Sequence, residues 1–155
     1  MSKRLLLGLL LAAPAELLGW TVAIATPNIV MLSEKHLRAS CDGRVETACT
    51  TFADTELSCS CVRNGERWSA EVHITSQPHM ILSNRMWLEH ERTHVYDFEQ
   101  AMRRHAAQIE RQSFDSSSAC IAFGAETRVA FSSVMRQFVR ESMLRRDGVP
   151  LPDRE

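Results

Sequence analysis

The sequence predicts an α+β domain in which a small antiparallel β-sheet is followed by two long helices. Three observations carry that expectation. Trp68, Ala70, Val72 and Ile74 alternate with Ser69, Glu71, His73 and Thr75, the period of a strand with one buried face. Ser83 or Asn84 reads as a helix N-cap, and from there to about residue 112 no glycine or proline breaks a helix. A polar turn at 114–118 then leads into a second helical stretch over 119–146, with Gly124 its one weak point.

Taken in order, residues 1–25 read as a signal peptide. Met1-Ser2-Lys3-Arg4 is a short basic start, residues 5–13 are an apolar run, and Ala23-Ile24-Ala25 offers the small-x-small pattern of a cleavage site. Ala13-Pro14-Ala15 is a second candidate site. An uncleaved anchor over residues 5–25 is the competing reading, weakened by Pro14 and Glu16, and a membrane is a partner only in that case. Residues 26–155 then form a single domain of a secreted or periplasmic protein, a length suited to one core. The net charge of -1 gives no electrostatic case for a nucleic-acid partner.

Residues 26–56 have mixed polarity and read as short strands and loops. Alternation over 56–62 followed by Asn64-Gly65 predicts a hairpin into the 68–75 strand. Pro78 is expected to interrupt that strand, leaving Met80-Ile81-Leu82 as a last short one. At the far end Asp147-Gly148-Val149-Pro150 is a helix stop.

The five cysteines (Cys41, Cys49, Cys59, Cys61 and Cys120) suit an exported protein with one or two disulfides. Cys59 and Cys61 share a strand face, so they need different partners. A bridge from Cys120 back to either would tie the two halves of the domain together. Cys-Ser-Cys as half of a zinc knuckle is the weaker alternative.

The chemistry concentrates in His90-Glu91-Arg92-Thr93-His94. Two histidines four apart on a helix project from one side and can grip one Zn2+ ion, while Glu91 reaches a water without itself ligating. Trp87, Phe98, Met102, Ala106 and Ile109 form the apolar stripe of that helix. His90, His94 and Asp97 fall along its border, and Glu91 falls within it. A carboxylate on a core-facing side requires a partner or a cleft.

With those residues the chain resembles the zincin clan of metallopeptidases, defined by H-E-x-x-H on an active-site helix. Within the clan it is most similar to the predicted secreted zinc-dependent proteases of unknown function. The specific match is residues 90–94; residues 57–145 match in layout. The resemblance implies a minimal zincin-like fold and hydrolysis of peptide bonds, with His90 and His94 as zinc ligands and Glu91 as general base. Departures are plain: no glycine follows His94 to lead to a third histidine, no glutamate sits on an obvious signature at the usual distance, and the chain is short for a protease with a specificity lobe.

A catalytic zinc site needs a third protein ligand, and two carboxylates compete for it. Glu141 falls on the second helix's apolar stripe with Phe123, Ala130, Val134 and Phe138, and a simple antiparallel hairpin sets it level with His90. Asp97 shares the histidines' face but lies one turn on, where orienting His94 is its more natural role. Glu126 stands behind both. His105 is three turns from His94, His73 reads as exposed, and His79 as a loop residue. Tyr96 projects away from the histidines. Arg103-Arg104, Arg111 and Arg145-Arg146 read as solvated helix faces.

The expectation is therefore a secreted zinc-dependent hydrolase acting on a peptide or protein substrate, which would add along an edge strand near residues 69–82. The rival is a non-catalytic exported domain whose zinc is structural or whose motif is vestigial. Oligomeric state is not legible.

Overall fold

The computed structural model describes residues 19–41 and 47–148. Its organising element is β4 (Arg67–Leu82), reached from β3 (Ala48–Asn64) through a two-residue turn. The turn begins at Gly65, whose φ of 65° is a backbone state that favours glycine. β3 pairs antiparallel with β4 along its whole length, from Asn64↔Arg67 to Ala48↔Leu82.

A strand has two hydrogen-bonding edges, and the other edge of β4 is shared by three short strands. β5 (Ser113–Phe114) pairs with residues 68–69, β1 (Trp20–Ile24) with 72–76, and β2 (Asn28–Met31) with 79–82. β1 and β2 run parallel to β4, whereas β3 and β5 run antiparallel. The antiparallel sheet that the sequence predicts is thus corrected: the sheet is mixed, with two parallel pairings. Alternation reports which face of a strand is buried and is silent on its direction, and the Asn64-Gly65 turn dictates only the local pairing.

Three further corrections follow. β4 does not end at Pro78. The register slips by one residue between Thr51 and Asp54 on β3, opposite Pro78, so a bulge absorbs the missing N–H. β4 is also paired on both edges over most of its length, so residues 69–82 do not form an edge strand. In the 26–56 region a short helix, α1 (Glu34–Ser40), follows β2. Of the segment read as a signal peptide, residues 1–18 lie outside the described residues, as does Val149-Pro150 of the helix stop, while Trp20–Ile24 is β1.

Both long helices cover one face of the sheet. α2 (Leu88–Glu110) follows a 3-10 turn at Arg85–Trp87 that Asn84 caps, its Oδ1 accepting from Met86 N at 3.0 Å. α3 (Ser117–Asp147) starts at Ser116, whose Oγ accepts from Ala119 N, and stops at Gly148 with φ of 68°. Ala70, Val72 and Ile74 of β4 pack against Phe98, Met102, Ala106 and Ile109 of α2 and Cys120, Phe131 and Phe138 of α3. Phe52, from the bulge, stacks on Phe98 with centroids 4.1 Å apart and meets Phe138 edge-on.

Two disulfides close the fold, Cys41–Cys49 and Cys61–Cys120. Cys59 is the free thiol, half-buried against Gly124, where a Cβ would stand 3.2 Å from its Sγ. The close passage of α3 over β3 at this point explains a glycine inside a helix. Among the described residues no helix is long and apolar enough to cross a membrane.

Candidate metal centre

His90, Glu91 and His94 sit in the first two turns of α2, where the helix passes the end of β3. Each offers one ligand atom, and these atoms all lie within 4.8 Å of one another. Such a set of two imidazoles and a carboxylate suits a first-row divalent ion. The group opens onto a cleft of about 250 Å³. Thr47–Thr50 border the cleft from β3 and its approach, Trp87 stands at one end, and Phe138, Val139 and Met143 of α3 form an apolar wall. Among the described residues no lysine or arginine lines it.

The two rings are held by different neighbours. His94 is buried, with its Nδ1 sharing a hydrogen bond with Ser142 Oγ of α3 at 2.9 Å. That fixes the ring and turns its Nε2 towards His90 Nε2, 3.3 Å away. His90 is more open, its ring edge-on to Trp87 and its Nε2 2.7 Å from Asp147 Oδ1. The same Asp147 oxygen is 3.4 Å from His94 Nε2. Burial pushes the His94 imidazole below its ordinary pKa, against the opposing pull of the Asp147 carboxylate, and so favours the neutral ring that ligates metals.

Glu91 is 3 % exposed, and Thr50 Oγ1 of β3 donates to its Oε2 at 2.6 Å. This is the partner that a carboxylate within an apolar stripe requires. It leaves Glu91 anchored beside the histidines.

The two expected third ligands are placed elsewhere. Glu141 is exposed and accepts a hydrogen bond from Gln137 Nε2 at 2.8 Å, off the lining of the cleft. Asp97 is buried but is forked by Arg146, with Nε to Oδ2 at 2.8 Å and Nη2 to Oδ1 at 2.9 Å. Those bonds hold its carboxyl below the usual range. Arg146 is exposed, as a solvated helix face implies, yet it is tied to α2 through this fork, and the Asp97 carboxylate is engaged with Arg146 rather than hydrogen-bonded to His94.

Sequence reasoning missed Thr50, Ser142 and Asp147. The first two carry no motif. Asp147 does carry a signal: an acidic side chain in the last turn of a helix opposes the macrodipole and calls for a reason. Glu126 is exposed, as are His73 on β4 and Tyr96, and His79 lies on β4 paired with Asp54 at 2.9 Å. No family model matches the chain, and no curated protein or solved structure matches it.

Proposed function

We propose that this protein is a secreted zinc-dependent hydrolase of minimal zincin type that cleaves peptide or other amide bonds. One observation carries the reading. The Glu91 carboxylate, anchored by Thr50, stands within 4.8 Å of the ligand atoms of His90 and His94 at an open cleft. A merely decorative helix face has no need of a buried, oriented carboxylate between two histidines.

His90 and His94 would hold the ion. Zinc, when bound, supplies a Lewis acid for the substrate carbonyl and lowers the pKa of water towards neutrality. Glu91 accepts the proton of the attacking water and returns it to the leaving amine. Thr50 keeps the Glu91 carboxylate aimed, and Ser142 keeps His94 in one orientation. The apolar wall of Phe138, Val139 and Met143 shields the reacting centre and offers surface to an uncharged substrate side chain. The two disulfides suit an extracytoplasmic location.

The test pairs metal analysis with a Glu91→Gln variant. Both proteins are expected to carry one zinc per chain. Hydrolysis of a mixed peptide library, read by mass spectrometry, is expected to fall about 100-fold or more in the variant. A wild-type protein without stoichiometric zinc overturns the reading.

A further inference from the structure

We infer that Asp147, the last residue of α3, is the third protein ligand of the metal centre, completing a His90–His94–Asp147 set with one open position. The inference rests on the zinc reading above and adds the donor that reading lacks.

Geometry is the first support. His90 Nε2, His94 Nε2 and Asp147 Oδ1 form a triangle with sides of 3.3, 2.7 and 3.4 Å. Donors on a tetrahedral zinc ion with bonds near 2.0–2.1 Å stand about 3.3 Å apart. Two sides already match that spacing. The third is a hydrogen bond between His90 and Asp147, which would open by roughly half an ångström around an ion.

Electrostatics is the second. The C-terminal end of a helix is its negative end, and a carboxylate there is disfavoured unless a cation stands beside it. Both arginines of that turn are turned the other way. Arg146 forks Asp97, and Arg145 Nη1 lies 3.9 Å from the same carboxylate. The Asp147 oxygen is aimed instead at two imidazole nitrogens, which is where a divalent ion would answer its charge.

Its position is also fixed rather than accidental. The Arg146–Asp97 fork ties the last turn of α3 to α2 one turn beyond His94, and Gly148 ends the helix immediately after the ligand. Asp97 and Arg146 thereby act as positioning residues for Asp147. Thr50 Oγ1 donates to Glu91 Oε2 and anchors that carboxylate beside the donor triangle, where a base would act.

The experiment uses the full exported chain and compares wild type with Asp147→Ala, Asp147→Cys and Glu141→Gln. Zinc affinity is read by competition with a chromophoric chelator and the site geometry by visible absorption of the cobalt-substituted protein. Wild type and Glu141→Gln are expected to bind equally tightly and share a tetrahedral cobalt spectrum. Asp147→Ala is expected to bind at least about 100-fold more weakly. Asp147→Cys is expected to restore binding and to add a thiolate-to-cobalt charge-transfer band, which appears only if residue 147 touches the ion. Circular dichroism of the metal-free variants establishes that they fold. Wild-type affinity and spectrum in Asp147→Ala, or no new band in a cobalt-loaded Asp147→Cys, overturns the assignment while leaving the Glu91 reading standing. Absence of zinc from the wild type overturns both.

Discussion

Ser142 and Glu141 are neighbours on α3, and the contact His94 makes with the first decides the fate of the second. Phe131, Phe138 and Ser142 are buried at steps of seven and four residues. A step of three from Phe138 lands on Glu141, and a step of four lands on Ser142. The two flank the same stripe 100° apart. Periodicity accepts either, so only the position of the neighbouring helix chooses between them. It chooses Ser142, and Glu141 turns to solvent.

His105 shows the opposite case, a half-buried ring whose Nε2 has no hydrogen-bond partner among the described residues. Its ring stacks on Phe131. Burial lowers its pKa, so near neutral pH it is held uncharged. An unfolded chain binds the proton more readily, with a pKa of about 6.5. The stability that neutral His105 contributes is therefore complete above that value and is lost as pH falls through it towards the depressed folded pKa. In metal-free protein, the urea midpoint of the wild type is expected to fall more steeply on acidification than that of His105→Phe. The comparison separates His105 from His94, whose burial acts in the same direction. Parallel curves for the two proteins would count against this account.

At the scale of elements, β1 is the strand that a sequence reading removes. Ala23-Ile24-Ala25 is a good cleavage pattern, yet Trp20, Val22 and Ile24 pack on the core and Gly19 N donates to Glu110 at 2.7 Å. Cleavage after Ala25 would delete a paired strand, whereas cleavage after Ala15 would retain it. A chain starting at Thr26 is expected to be about 3 kcal/mol or more less stable than one starting at Glu16, given half-buried side chains of this size. Guanidinium denaturation of the two recombinant forms measures it, and equal midpoints would show that β1 adds nothing. The apolar stripe of α2, by contrast, was legible almost residue for residue: Phe98, Met102, Ala106 and Ile109 are all buried. A helix of 23 residues gives the period enough turns to be read. A five-residue strand that follows an apolar run of sequence does not.

For the molecule as a whole, Cys61–Cys120 links β3 to α3 across 59 residues of sequence. It joins the hairpin to the helical layer, as the single cysteine beyond the His90–His94 segment suggested. A loop of that length is expected to contribute about 4 kcal/mol by restricting the unfolded chain. Replacing both cysteines by alanine should lower the unfolding free energy by roughly that amount, measured by denaturant titration. Retained stability would locate the fold's cohesion in the Phe52–Phe98–Phe138 cluster alone.

Legible in the sequence alone were the α2 helix, its buried face, the hairpin turn and the two histidines with a carboxylate between them. Each of these is written in local spacing, where a period or a turn residue fixes geometry within a few bonds. The direction of β1 and β2, the free state of Cys59 and the partners of Glu91, His94 and Asp97 came only with the tertiary structure. They depend on which segments meet from 41 to 59 residues apart along the chain, and no local period encodes that meeting. The carboxylate facing His90 and His94 is the clearest instance. The register between α2 and α3 is set by the packing of Phe98 and Phe138 and by the Asp97–Arg146 fork, and it brings Asp147, not Glu141, to the cleft.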